Sequence, residues 1–158
     1  MRIVESIAIA APPERVTRLV RDVDLHARLS APIGGRAVGG RTRGLAEPGD
    51  WTAWRATFFG VPRRVTVETV RVEPGVAVVE RMVGPAWRTG LAAFGHVYRV
   101  DARAGGCVLW DAFTVRLAGG TVGEAATRLL LRRTMTRLVR HRLEGVRRAA
   151  ERAGAGRP

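Results

Sequence analysis

Residues 122–152 contain no proline and repeat their apolar side chains at a helical period, so the chain closes on one long amphipathic helix. On a helical wheel Leu131, Met135, Leu138, Val139, Val146, Ala149 and Ala150 share one face, and Arg133, Arg137, Arg140, Glu144, Arg147, Arg148 and Glu151 share the other. Such a helix is about 45 Å long and must be covered along its whole apolar stripe. The preceding segment supplies the cover. Between Trp51 and Leu117, turn signals at Gly60, Glu73-Pro74-Gly75, Gly84-Pro85 and Ala104-Gly105-Gly106 separate β-rich stretches near 51–59, 63–73, 76–83, 91–101 and 107–117. Connections this short make antiparallel hairpins in a meander.

The N-terminal third reads as strand, helix, helix. Residues 2–11 are rich in β-branched side chains, and Pro12-Pro13-Glu14 ends that strand and opens a helix bearing Val16, Leu19 and Val20. A second short helix, near 23–29, stops before Pro32. The glycines of 34–40 lack the strand–loop–long-helix setting of a phosphate cradle and read as a short strand between turns. Segment 84–90 is irregular, carries Trp87 and reads as a flap; 153–158 reads as a frayed tail. Strands and helices kept apart in sequence predict an α+β domain over 1–152: a curved antiparallel sheet wrapped around a long C-terminal helix, with two short helices after the first strand. With aromatics at 6%, small residues leave space between sheet and helix, and a cavity is expected there.

Other readings are limited by what the chain lacks. One cysteine, Cys107, excludes an internal disulfide and a cysteine-rich zinc site, and His26, His96 and His141 have no metal-ligand spacing. No metal or cofactor is therefore expected. No apolar run approaches a membrane span and the first residues do not read as a secretory signal, so the expected location is the cytoplasm. The net charge of +13 comes entirely from arginine, for the chain contains no lysine, asparagine or glutamine. Coding pressure from a GC-rich genome explains the choice of arginine but not the excess of base over acid. A nucleic-acid or ribosome-associated module using Arg133, Arg137, Arg140 and Arg147 stays open, as does a membrane-surface partner.

Five short motifs, in order over some 95 residues, carry a family resemblance. They are Gly49-Asp50-Trp51-Thr52-Ala53-Trp54 running to Phe59-Gly60; Met82-Val83-Gly84-Pro85; Phe94-x-His96-x-Tyr98; Trp110-Asp111; and Thr121-Val122-Gly123 with the apolar–arginine run to Arg133 and Arg140-His141-Arg142. Together with the element order they resemble the START-like, polyketide-cyclase-type (SRPBCC) superfamily and its helix-grip fold. Gly119, where that family pattern suggests proline, and the apolar stretch 86–93 depart from it. The resemblance implies a small-molecule pocket. Members bind lipids, sterols and polyketides, and a minority catalyse cyclisation or dehydration; fold alone does not choose among them.

Strand alternation orients the candidate site. Arg99 belongs in solvent, so Phe94, His96, Tyr98 and Val100 face inward, as do Cys107, Leu109, Asp111, Phe113 and Val115. A loop over 101–106 would pair Val100 with Cys107, Tyr98 with Leu109, His96 with Asp111 and Phe94 with Phe113, placing imidazole beside carboxylate. His96 and Asp111 are the candidate acid/base pair; the plainer reading is two buried polar groups satisfying each other. Arg142 lies in the apolar stripe of the closing helix and needs a partner: Asp111, a ligand anion or enolate, or solvent at a cavity mouth. Trp54, Trp87 and Tyr98 are candidate walls, with Phe94, Leu109, Phe113, Met135 and Leu138 completing the expected lining. Trp51 and Trp110 read as outside positions. The leading expectation is a binder of a small hydrophobic, lipid-like or aromatic ligand. A cyclase or dehydratase using His96 is the alternative, and a homodimer stays open.

Overall fold

The computed structural model describes residues 1–58, 61–84 and 90–152. Strand β1 (Arg2–Ile9) leads to helices α1 (Pro13–Val20) and α2 (Val23–Leu29) and a 3₁₀ turn (Ala31–Ile33). Strands β2 (Arg36–Gly40), β3 (Trp51–Phe58), β4 (Val61–Glu73), β5 (Ala77–Val83), β6 (Leu91–Arg103) and β7 (Gly106–Leu117) follow. The chain closes on α3 (Gly120–Ala126), a π-helical turn (Thr127–Leu131) and α4 (Arg132–Arg152). The seven strands form one antiparallel sheet in the order β1-β7-β6-β5-β4-β3-β2. The two short helices carry the chain from one edge of the sheet to the other. The meander then returns strand by strand until β7 pairs with β1. This is the α+β helix-grip architecture that the sequence predicts.

Local chemistry starts and stops the helices where expected. Pro13 opens α1 with Glu14 in its first turn. Asp22 caps α2 by accepting the Leu25 amide at 3.0 Å. The core lies between sheet and α4: Leu131, Met135, Val139, Leu143, Val146 and Ala150 are buried against a cluster that includes Ile3, Ile9, Leu109, Phe113 and Val115.

Two details depart from expectation. The β6–β7 ladder runs to Arg103↔Gly106, closing on a two-residue Ala104-Gly105 turn with Gly105 at φ +77°, not on a loop over 101–106. The register therefore moves by two residues on β7. Tyr98 lies opposite Asp111, His96 opposite Phe113, Val100 opposite Leu109, and Phe94 opposite Val115. A two-residue shift preserves faces, so both inward sets remain inward.

The second departure is the π turn within the closing helix. Buried positions Gly123, Thr127, Leu131, Met135, Val139 and Leu143 recur every four residues. That is slower than the ~3.6-residue α-helical period, and one wider turn takes up part of the difference. Thr127 anchors it: the hydroxyl donates to the Gly123 carbonyl at 2.6 Å and accepts the Leu117 amide at 2.9 Å. The flap expected over 84–90 lies, for 85–89, outside the described residues, as does the tail 153–158.

At Gly123 the start of the closing helix lies tight against the backbone at the end of β7 and just beyond it. A Cβ there would stand 2.3 Å from the Ala118 carbonyl oxygen and 2.9 Å from that of Leu117. Helix propensity alone makes Gly→Ala stabilising by about 1 kcal/mol. Backbone overlap reverses the sign here, and Gly123→Ala is expected to destabilise by about 1–3 kcal/mol. Urea denaturation of the two proteins checks this.

Candidate functional site

Five elements bring polar side chains to one place under α4. Strand β6 turns His96 and Tyr98 inward, β7 supplies Asp111, β5 supplies Glu80, α2 supplies His26, and α4 lowers Arg142 onto them. The guanidinium is the hub. Its Nη1 donates to His96 Nε2 at 2.9 Å, and its Nη2 donates to His26 Nδ1 at 2.7 Å and to Tyr98 Oη at 3.1 Å. On the far side of the imidazole, His96 Nδ1 lies 2.8 and 3.1 Å from the two oxygens of the fully buried Asp111.

These distances assign protons. Arginine has only donors, so His96 Nε2 and His26 Nδ1 must each offer a lone pair. His96 therefore carries its proton on Nδ1 and donates it to Asp111, whereas His26 carries its proton on Nε2. Both imidazoles are neutral beside one permanent cation. Consistently, burial, then Arg142 and His96, hold the His26 pKa well below the usual histidine range. Burial likewise pushes the Tyr98 hydroxyl well up. Desolvation works against the Arg142 charge, but Tyr98, Asp111 and Glu80 more than offset it. The ring of His96 is further held by stacking on Phe113 at 4.5 Å and on Tyr98 at 5.2 Å.

The cluster forms the polar wall of a cavity of about 70 Å³. Of the residues named from the sequence, Trp54, Phe94, His96, Phe113, Met135, Leu138 and Arg142 line it. Tyr98, Leu109 and Asp111 do not: they are buried behind that wall, Tyr98 and Asp111 supporting Arg142 and His96. Trp87 lies outside the described residues. Arg142 reaches Asp111 only through His96, not directly. The shifted hairpin explains how His96 and Asp111 meet although they are not opposed: they are diagonal neighbours on one face.

Several lining residues escaped the sequence reading, among them Ser30, Ile33, Arg63, Val65 and Val67, and two of them, His26 and Glu80, belong to the polar wall. Both carried a signal. His26 stands three residues from Val23 and from Leu29, on the apolar side of α2, and all three are buried. Glu80 shares its strand face with the buried Val78, while Arg81 marks the other. The Glu80 carboxyl is half-buried, faces the cavity, and makes no hydrogen bond or ion pair among the described residues. Desolvation raises its pKa above the ordinary carboxylate value.

Elsewhere the expectations about the outer surface hold. Trp51 is exposed, and Trp110 donates to Asp101 at 2.9 Å beneath Arg99 on the outer face of the sheet. Of the arginine face, Arg140 is engaged with Glu5 and Arg147 with Glu144, while Arg133 and Arg137 are exposed. No group of three or more His, Cys, Asp or Glu side chains among the described residues is placed to hold a metal. No helix among them is long and apolar enough to cross a membrane.

Comparison with known proteins adds to this geometry. The family model described as polyketide cyclase / dehydrase and lipid transport matches residues 1–151. No curated protein matches the chain by sequence. Among solved structures, TTHA0849 from Thermus thermophilus is 18% identical, covering 97% of this chain and 99% of that one, with a TM-score of 0.74. The ZhuI aromatase/cyclase from a Streptomyces species is 18% identical, covering 99% and 98%, with a TM-score of 0.71. The di-domain aromatase/cyclase StfQ of the steffimycin pathway is also 18% identical, matching 97% of this chain and 51% of its own, with a TM-score of 0.73. At this identity the structures establish a shared fold.

The neutral state of His26 has a measurable consequence. Its folded-state pKa lies below that of the unfolded chain, so below about pH 6.5 the unfolded state binds the extra proton and stability falls with pH. The contribution is up to about 1.4 kcal/mol per pH unit until the folded-state pKa is reached. Unfolding free energies measured from pH 7 to pH 5 are expected to show this slope, reduced by one proton in His26→Gln.

Proposed function

Because the chain belongs to the polyketide cyclase / dehydrase and lipid transport family, we propose that it binds a small hydrophobic ligand, lipid-like or aromatic and polyketide-like, between the sheet and α4. The observation that carries this reading is a cationic Arg142 set between two neutral imidazoles at one wall of an otherwise largely apolar cavity. That arrangement suits a molecule with an apolar body and one oxygen-bearing end. Trp54, Phe94, Phe113, Met135 and Leu138 would hold the body, with Trp87 a further candidate wall. Arg142 and His26 Nε2–H would hold the oxygen. Space of about 70 Å³ is well below the ~300 Å³ at which ligand sites begin. Binding therefore requires the lining side chains to move apart, and Arg142 is the side chain whose partners a ligand oxygen can replace.

A second reading is cyclisation or dehydration, favoured by the ordered line Asp111–His96–Arg142. With Arg142 on the imidazole, His96 Nε2 has no free lone pair. When a substrate carbonyl takes over the guanidinium donors, Nε2 is released. It can then accept a proton from the carbon next to that carbonyl, while Asp111 supports the resulting imidazolium and Arg142 the enolate oxygen. Glu80, whose raised pKa favours the neutral acid, faces the same space as a proton donor.

The test uses 1-anilinonaphthalene-8-sulfonate, an anionic aromatic probe. Saturable one-to-one binding is expected, weakened about tenfold or more in Arg142→Met, equivalent to about 1.4 kcal/mol. Arg142→Lys should fall between. Unchanged affinity in a folded Arg142→Met protein removes Arg142 from the site. For the catalytic reading, a linear poly-β-ketone substrate should turn over in the wild type and still bind, without turnover, to His96→Gln. Equal rates in the two proteins overturn it.

A further inference from the structure

The three most exposed large apolar side chains among the described residues lie at the start of the closing helix. Leu129 is 83% exposed, Val122 76% and Leu130 61%. The turn that points Leu129 and Leu130 outward is the π turn that keeps Thr127 and Leu131 buried. Ala118, Gly119, Gly120 and Ala125, all exposed, extend the patch. Its border is basic. Between Ala118 and His141 the chain has five arginines and a single acidic residue, Glu124, which is paired with Arg128 at 3.2 Å. Arg132, Arg133 and Arg137 are exposed on the turns that follow.

We propose that this patch docks the protein on an anionic phospholipid bilayer. A leucine pair flanked along the helix by arginines matches the two layers of such a surface: apolar side chains enter the acyl boundary while guanidinium groups meet phosphates. A second copy of the chain does not fit, since an isologous contact would set one arginine cluster against another. Nucleic acid does not fit either, since phosphates engage the arginines and leave Leu129, Leu130 and Val122 in water. Met135, one turn beyond Leu131, lines the cavity, so docking places a bilayer beside the helix that closes the ligand site.

Flotation of the protein with vesicles of equal parts phosphatidylglycerol and phosphatidylcholine tests this. Binding is expected on these vesicles and not on phosphatidylcholine alone. Leu129→Ser/Leu130→Ser, which alters no charge, should lower the partition coefficient about tenfold or more. Both side chains are exposed, so the melting temperature and binding of the naphthalene probe should stay unchanged. Arg132→Ser/Arg133→Ser should weaken binding and flatten its salt dependence. Absence of binding, or equal binding by the leucine variant, overturns the proposal; the latter outcome means charge adhesion alone. A concentration-dependent dimer that the leucine variant abolishes, without vesicle binding, overturns it in favour of self-association.

Discussion

A guanidinium set beneath a sheet needs acceptors there, and the interior of this protein supplies them to both terminal nitrogens of Arg142, while its buried Nε has none among the described residues. A carboxylate partner would have neutralised it and closed the site. Two neutral imidazoles and a phenol surround it instead, with the formal counter-charge one ring further away on Asp111. Each of these groups depends on the next. Asp111 sets the His96 tautomer, and that tautomer presents the lone pair that Arg142 needs. Arg142 in turn helps to keep His26 neutral. Removing any one leaves a buried donor or acceptor unpaired, at a cost of about 1–3 kcal/mol. Such a network ties α2, β6, β7 and α4 together as firmly as apolar packing does, while leaving the cation able to change partners.

Much of the fold was legible because the periods involved are strong. The alternation of Phe94, His96, Tyr98 and Val100 against Arg99 placed an inward face, and the long apolar stripe from Leu131 to Ala150 required a sheet to cover it. Register was less legible. Choosing between a two-residue turn at Ala104-Gly105 and a longer loop depends on which glycine adopts positive φ, and Gly105 and Gly106 adjoin. A slip of two residues leaves every side chain on its own face, so no hydrophobic pattern could reveal it. The π turn escaped for a related reason: the wheel already sets Leu131 on the buried face, and the Thr127 hydroxyl bonds that accompany the wider turn leave no mark in an apolar pattern.

The site was legible at its centre and not at its margins. His96, Asp111 and Arg142 stand out because each is a polar residue in an apolar stripe. His26 lies on α2, distant in sequence from Tyr98 on β6 and from Arg142, and only the crossing of the two short helices from one sheet edge to the other brings it there. Glu80 was readable from the Val78–Glu80–Met82 alternation, but a lone carboxylate in a strand attracts attention only once the cavity is known. The arginine excess divides in the same way. Arg140 and Arg147 have carboxylate partners, Arg142 is internal, and the cluster at 132–137 faces solvent beside Leu129 and Leu130.

The small cavity and the arginine hub together constrain what can enter. A hydrocarbon that displaces Arg142 from His96 and His26 strands three polar groups at once and returns only apolar burial. A ligand ending in a carbonyl, carboxylate or enolate oxygen gives the guanidinium a new acceptor as it leaves the old ones. It strands only the imidazole lone pairs, and these can then accept a proton or hydrogen bond from the ligand. At about 25 cal/mol per Å² of buried apolar area, the ring or chain supplies affinity for either molecule, but only the oxygen-bearing one avoids the penalty of an unpaired cation. Discrimination then comes from the partner exchange at Arg142 more than from the shape of the walls. The same exchange frees His96 Nε2, so recognition of the oxygen and exposure of a base are one event. Binding and catalysis in this site differ only in whether the ligand carries an acidic C–H within reach of that nitrogen.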